Sequence, residues 1–225
     1  MRITHNRNPK IFNYKLGECI LESTNSHPYL GVCITNNLSW STHINNITSS
    51  ANRSLGFIRR NLYSCSKPIK QTAYMALVRP LLEYSSTVWD PNQKELINKI
   101  EMIQKRAARF TTNTYNRTTS ITALIKDLEW DTLQNRRTAN RLTVLHKARQ
   151  GLLALPVDKL LQPSLRQSRH THLDSYRIIT CKKDVYKHSY LPKTVIDWNK
   201  LPHNIIKIQD SPSFKEAVLK QLKQD

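Results

Sequence analysis

The hydrophobic pattern of the chain changes near residue 40. Three short apolar runs precede that point, at 11–15, 18–22 and 29–34. Such runs are typical of strands, so the first two predict a hairpin that turns near Gly17. The third predicts a further strand, in which Gly31 indicates a close approach of another group to the backbone. A sheet of three short strands cannot bury both of its faces by itself, so we expect a sheet remnant that packs against helices.

After residue 40 the apolar residues recur every three or four positions, which is the helical period. The pattern predicts five helices, at 41–62 with a cap at Ser41 or Thr42, at 68–84, after the 90–92 cap to 110, at 120–128 and from 131 to about 149. Pro80 should kink or divide the second of these helices. Beyond Gly151 the period is weak, and we expect a partly ordered linker. A last amphipathic helix should begin at Ser211-Pro212.

These elements predict a mainly α fold, α+β overall, in which a helical bundle carries a small antiparallel hairpin or sheet remnant at its N-terminus. The chain has only four glycines, well below the usual share of about 7%, so it cannot be rich in tight hairpins. We divide the chain into a β remnant at 1–36, a helical domain at 37–150 and a C-terminal linker with a helical extension at 151–225.

The charge of the chain indicates a polyanionic partner. The 225 residues include 35 Lys and Arg against 16 Asp and Glu, a formal net charge of +19. Nucleic acid is the first partner to consider and an anionic membrane the second. No apolar run approaches the roughly 20 residues of a membrane-spanning helix, and no hydrophobic signal core follows Met1. We therefore expect an intracellular protein of the nucleus or cytoplasm that is neither secreted nor bound to membranes.

The middle of the chain holds most of this charge, since residues 53–150 carry 18 basic and seven acidic side chains. Three predicted helices each contribute a basic group: Arg53, Arg59 and Arg60; Lys105, Arg106 and Arg109; and Arg136, Arg137 and Arg141. Steps of three, four or seven residues place side chains on one helix face, where they can bond phosphate oxygens. For any single basic group, a solvent-exposed helix face without a ligand is as good an explanation as phosphate binding. The summed charge of the three groups favours nucleic-acid binding.

Other candidate chemistry is weaker. Trp89, Trp130 and Trp198 lie at predicted helix boundaries, which favours core anchors over base-stacking platforms. His170 and His172, with only Cys181 nearby, lack the four ligands of a structural zinc site, so we expect no metal. No glycine-rich phosphate loop, nucleophile elbow or His-Glu-x-x-His motif occurs, and no paired Asp residues could hold two Mg²⁺ ions. The sequence predicts no catalytic residues.

A series of short motifs carries a family resemblance over nearly the whole chain. The chain resembles the C-terminal part of reverse transcriptases from LINE-type, non-LTR retrotransposons of the jockey kind. The matching motifs occur in order: Tyr29-Leu30-Gly31-Val32, Leu38-Ser39-Trp40 with His43-Ile44, the run at 55–62, the run at 78–84, Val88-Trp89-Asp90-Pro91, the run at 104–110, Leu128-Glu129-Trp130 with Arg136-Arg137, and Trp198-Asn199 with Leu201-Pro202.

The resemblance implies that residues 1–36 are the last edge of a polymerase palm, whose turn at Tyr29, Leu30 and Gly31 holds the primer end. The helices that follow would then be the thumb, which grips the backbone and minor groove of a template-primer duplex. The catalytic Asp-Asp motif of the family, its fingers and its nucleotide pocket all precede the matched region. We therefore expect no polymerase activity and no cofactor, since Mg²⁺ would be needed only in a complete polymerase.

Two hypotheses follow from these observations. In the favoured one, the chain is a piece of a retroelement RNA-directed DNA polymerase that binds RNA, DNA or their hybrid through a basic helical face. In the alternative, it is a protein-protein interaction module or domesticated scaffold that pairs with other reverse transcriptase segments through apolar surface.

Overall fold

A computed structural model describes residues 1–4, 10, 12–116, 118–164 and 172–224 of the chain. Its fold is mainly α, with twelve helices and four short strands among those residues, as the hydrophobic pattern predicts. Among the described helices, none combines the length and apolar character that crossing a bilayer requires.

Two separate hairpins stand where the sequence predicts one sheet remnant. The strands are β1 (Lys15–Leu16) paired with β2 (Cys19–Ile20), and β3 (Ser26–Tyr29) paired with β4 (Val32–Thr35), both antiparallel. The first pair confirms the predicted hairpin, although Ile11 lies outside the described residues. The expectation of one strand over 29–34 is wrong, because Leu30 and Gly31 both adopt positive φ, 46° and 80°, and reverse the chain there.

Six helices follow the hairpins: α1 (Ser41–Asn61), α2 (Lys67–Leu77), α3 (Arg79–Glu83), α4 (Ser86–Trp89), α5 (Lys94–Thr112) and α6 (Ile121–Asp127). The break between α2 and α3 confirms the expected division at Pro80, which occupies the first turn of α3, where a missing N–H does no harm. The predicted cap at Ser41 or Thr42 is wrong, since α1 begins at Ser41 itself. Likewise α5 begins at Lys94 and is preceded by Gln93 rather than by the 90–92 segment.

The first hydrophobic core lies between α1 and the helices α2 to α6. Ile44 and Ile58 of α1 are fully buried with Ile100 and Phe110 of α5. Trp89, at the end of α4, is also fully buried, and its indole N–H donates to the carbonyl of Tyr84 at 2.8 Å. This packing fixes α1 and α5 side by side, which determines the surface they present to solvent.

A second hydrophobic core lies on the other half of α7 (Leu133–Arg149). It is completed by α8 (Val157–Leu160), α10 (Tyr190–Asn199), α11 (His203–Ile206) and α12 (Ser211–Gln221). The short helix α9 (Asp184–Lys187) precedes α10 and has no buried residue. The helix α12 begins at Ser211 as predicted, with the Asp210 carboxylate accepting a hydrogen bond from the Ser213 N–H at 2.9 Å.

The helix α7 belongs to both cores. Leu133 packs in the first core, whereas Ala139, Leu142 and Leu145 pack in the second. The domain boundaries at residues 36 and 150 stay predictions, and the structure adds that one helix connects the two clusters of buried residues.

Candidate nucleic-acid interface

The helix α1 carries cations and no carboxylate along its whole length, since no Asp or Glu occurs between Ser41 and Asn61. Arg53, Arg59 and Arg60 are all exposed. Arg53 is held along the helix surface by bonds from its two terminal nitrogens to the hydroxyls of Ser49 at 3.2 Å and Ser50 at 3.0 Å. A seven-residue step keeps Arg53 and Arg60 on one face, two turns apart.

The helix α5 adds a second row of cations beside the first. Arg106 is exposed, and Lys105 and Arg109 are half-buried. Arg109 donates to the carbonyl of Asn116 at 3.1 Å, which orders the segment that follows the helix. The second predicted basic group therefore lies on the surface.

Two matching hydrogen bonds join the rows. Arg106 donates to the side-chain oxygen of Asn52 at 3.0 Å, and Lys99 donates to that of Asn45 at 2.8 Å. Both donors and both acceptors are seven residues apart, so α1 and α5 run parallel and in register. Lys99 is a candidate contact that the sequence interpretation missed, although its seven-residue distance from Arg106 is a signal that could have identified it.

The surface formed by these side chains keeps its positive charge. We call it the α1–α5 face and define it by Arg53, Arg59, Arg60, Lys99, Lys105, Arg106 and Arg109. Within the described part of the chain, none of these seven forms an ion pair with a carboxylate. The carboxylate of Glu101 on α5 accepts the backbone N–H groups of Leu133 and Gln134 at 3.3 and 2.7 Å. Burial raises the pKa of this carboxyl, and the charge of Lys105 is among those that counteract the rise.

One end of the α1–α5 face contains a cleft of about 440 Å³. Its lining residues are Gly56, Arg59, Arg60, Tyr63, Phe110 and Tyr115. Tyr63 and Tyr115 are 75% and 52% exposed, so their rings are available for stacking, and the guanidinium groups beside them suit phosphate. Cations and exposed aromatic rings in one concave site are what unpaired nucleotides require.

The β3–β4 turn lies at the other end of α1. Tyr29 and Leu30 are exposed, and the hydroxyl of Tyr84 donates to the carbonyl of Leu30 at 3.1 Å. A Cβ atom at Gly31 would lie 3.1 Å from the Tyr84 ring, so the close approach expected at this glycine is present. The turn is thus anchored to Tyr84, the residue that follows α3, while its apolar tip faces solvent.

A second cleft, of about 460 Å³, connects this turn to α1. Gly31 and Tyr84 line it together with Asn46 and Ser50 of α1. From Asn46 to Arg60 the helix rises about 21 Å at 1.5 Å per residue. This distance matches roughly six nucleotides of one strand at 3.4 Å each. The β3–β4 turn and the α1–α5 face therefore lie along one helix.

The third predicted basic group is not on this surface. Arg137 and Arg141 of α7 are buried, with 0% and 1% of their surface exposed, and Arg136 is half-buried. Arg136 is bonded to the carboxylate of Glu83. The expectation that these arginines contact phosphate is wrong, because internal carboxylates occupy them and the protein covers them.

Asp90 is the centre of that internal network. Its Oδ1 lies 2.9 Å from Nε of Arg137, and its Oδ2 lies 2.9 Å from Nε of Arg141 and 2.6 Å from Nζ of Lys193. Arg141 also reaches Asp197 of α10 at 2.9 Å. Burial disfavours the charged carboxylate, but the three cations together hold the pKa of Asp90 below its ordinary value. One carboxylate thus joins the α4–α5 corner to α7 and α10.

The tryptophans are core residues, as the sequence interpretation favours. Trp89 and Trp198 are fully buried and Trp130 is nearly so, stacked on Tyr74 with 4.4 Å between ring centroids. None of the three rings is available to a nucleobase. Of the two histidines considered as zinc ligands, His170 lies outside the described residues and His172 is buried.

No family model, curated protein or solved structure matches the chain. The resemblance to non-LTR reverse transcriptases therefore rests on the sequence motifs and stays a prediction.

Proposed function

We propose that the chain binds RNA, DNA or an RNA/DNA hybrid, independently of base sequence, through the α1–α5 face. The observation that carries the proposal is the row of seven cations on two parallel helices with no carboxylate partner among the described residues. Cations without internal partners are the ones that can exchange water and counterions for phosphate.

The proposal includes the family resemblance. In a reverse transcriptase thumb, a positive helical face grips the sugar-phosphate backbone and reads the shape of the duplex. The α1–α5 face and the exposed tip at Leu30 fit that task, since the tip lies at one end of α1 and the tyrosine-lined cleft at the other. The proposal assigns binding to this chain and no catalytic step.

The test is the salt dependence of binding to a duplex. The variant Arg53→Gln/Arg59→Gln/Arg60→Gln removes three charges from α1, and Lys182→Gln/Lys183→Gln/Lys187→Gln removes three exposed charges elsewhere. Log affinity falls with log salt by about 0.9 per phosphate neutralised, so the first variant should lower the slope by up to about 2.7. The matched control should keep the wild-type slope.

The measurement is a filter-binding or fluorescence titration between 50 and 300 mM salt, at about those limits, on duplexes of two unrelated sequences. Equal slopes for both triple variants would place the binding outside the α1–α5 face. A slope near zero for the wild type would exclude the function altogether.

A second candidate function rests on a different observation. The two hairpins expose a group of large apolar side chains, namely Phe12, Tyr14, Leu16, Ile20, Leu21, Tyr29 and Leu30. Apolar surface of this kind is typical of a protein interface, such as one with other reverse transcriptase segments. Sedimentation over a wide concentration range tests the simplest case, self-association, and a monodisperse monomer throughout would count against it.

A further inference from the structure

A small cluster of metal-ligating side chains lies outside the α1–α5 face, next to Trp198 of the second core. One ligand atom from each of His172, Asp174 and His203 lies within 4.8 Å of the other two. His172 and Asp174 come from the segment that precedes α9, and His203 is the first residue of α11. Three ligands from two separate parts of the chain therefore converge.

The imidazole of His172 has one nitrogen occupied and one free. Its Nε2 lies 3.1 Å from the carbonyl oxygen of Trp198. A carbonyl only accepts, so Nε2 carries the proton and Nδ1 keeps its lone pair. His172 is 8% exposed, and its Nδ1 is buried with no hydrogen-bond partner among the described residues. An unpaired lone pair inside a protein is unfavourable unless something binds it.

His203 repeats this arrangement. Its Nδ1 is also buried without a hydrogen-bond partner in the described ranges, and it lies 3.8 Å from Oδ2 of Asp174, too far for a hydrogen bond. Each imidazole therefore has one unpartnered nitrogen, and the cluster that the two histidines form with Asp174 offers a cation two imidazoles and one carboxylate.

The surrounding groups orient these donors as a metal site requires. The other oxygen of Asp174 accepts a hydrogen bond from Arg149 at 2.8 Å, which leaves Oδ2 facing His203. A ligating histidine usually donates its second ring N–H to a carbonyl or carboxylate, and the bond from His172 to Trp198 has this form.

We propose that His172, Asp174 and His203 bind one divalent transition-metal ion of the zinc type. Two imidazoles and one carboxylate suit Zn²⁺ and Co²⁺, whereas Mg²⁺ and Ca²⁺ take oxygen ligands. Tetrahedral bonds of about 2.0 Å place ligand atoms about 3.3 Å apart, so atoms that lie within 4.8 Å of one another must approach by up to about 1.5 Å. The side chain of His203 is 37% exposed, so rotation of its ring toward the other two ligands meets less packing than a core side chain would. The bound ion would tie the 172–174 segment to α11.

The experiment titrates the metal-free full chain with Zn²⁺ by calorimetry and with Co²⁺ by visible absorption. We expect one ion per chain and the intense visible bands of tetrahedral cobalt. His203→Ala should weaken binding at least about tenfold. His27→Ala, which removes an exposed histidine of β3, should leave binding unchanged. Zn²⁺ should raise the melting temperature of the wild type and of His27→Ala, but not that of His203→Ala.

Equal Zn²⁺ affinity for the wild type and His203→Ala, or no binding by the wild type, would overturn the proposal. His172→Gln provides a second variant, with circular dichroism to check that it folds. If it does not fold, His203→Ala alone decides the question, because the His203 side chain is half-exposed and its removal should not prevent folding. Mg²⁺ should have no effect, and a response to Mg²⁺ equal to that to Zn²⁺ would also contradict the assigned donor set.

Discussion

Arginines share one helix face on both α1 and α7, seven residues apart for Arg53 and Arg60 and four for Arg137 and Arg141, but their surroundings are opposite. Arg53 and Arg60 face solvent on a helix without carboxylates, whereas Arg137 and Arg141 are buried against Asp90. Arginine spacing on a helix therefore does not distinguish a binding surface from an internal ion network. The position of the nearest carboxylate does, because a carboxylate beside a guanidinium neutralises its charge and weakens its attraction for phosphate.

The comparison also separates two consequences of charge. On α7 the ion pairs connect secondary-structure elements, so their loss should change stability. On α1 the cations contribute little to the fold, so their loss should change affinity. Variants can test both the effect of the α7 ion pairs on stability and the effect of the α1 cations on affinity.

The largest expected effect is that of removing the carboxylate from the α7 network. Asp90→Ala leaves two buried guanidinium groups without their shared partner and should lower the free energy of unfolding by about 3–5 kcal/mol. Urea unfolding followed by circular dichroism measures this. The control Asp127→Ala breaks an exposed pair with Lys67 and should change stability by under about 1 kcal/mol. Similar losses for both variants would show that burial does not set the strength of the network.

The pH dependence of stability is a second test of the α7 ion network. The pKa of Asp90 is lowered in the folded chain, against burial, by Arg141, Lys193 and Arg137. A carboxylate with a lowered pKa contributes stability above its unfolded pKa of about 3.9 and loses it as the pH falls through the folded pKa. The difference in unfolding free energy between wild type and Asp90→Asn should therefore be constant from about pH 5 to 7 and shrink below about pH 4.

Urea titrations of both proteins at several pH values measure this difference, which isolates Asp90 from the other carboxylates. A difference that stays constant into strongly acidic solution would mean that the charge of Asp90 contributes nothing to the network.

The sequence predicts the helices better than it predicts which arginines are free. The periods and prolines locate α1, the break at Pro80 and α12, because these signals act within a few residues. The partners of Arg137 and Arg141 are 47 and 56 residues away, at Asp90 and Asp197, and no local pattern indicates such contacts.

One local signal for the burial of these arginines does exist. Leu133, Arg137, Arg141 and Leu145 follow one another at steps of four residues and so share one helix face. The two arginines therefore interrupt an apolar stripe. On α1 the corresponding stripe is Ala51, Leu55 and Ile58, and Arg53 and Arg60 lie outside it. Position relative to the apolar stripe is thus a better guide to a basic surface than spacing between cations.

The hairpins show a similar limit. The run at 29–34 has the composition of a strand, and two residues with positive φ turn it into a hairpin. Gly31 permits that conformation readily, whereas Leu30 adopts it at an energetic cost of about 1–2 kcal/mol. The turn is maintained by contacts with Tyr84, which is 54 residues from Leu30 and therefore invisible to local patterns.

The smallest expected change in stability comes from giving α1 the carboxylate that it lacks. Ser49→Glu places an acid four residues before Arg53, the favourable order on a helix, and should raise the free energy of unfolding by about 0.2–0.5 kcal/mol. The same pairing should occupy Arg53 and lower the salt slope of duplex binding by about 0.9. Ser49→Gln, which has the same size without the charge, should leave the slope at its wild-type value. If Ser49→Glu stabilises the chain without changing the slope, Arg53 does not contact phosphate. If stability and slope both shift as expected, a single carboxylate will have made an α1 arginine resemble those of α7.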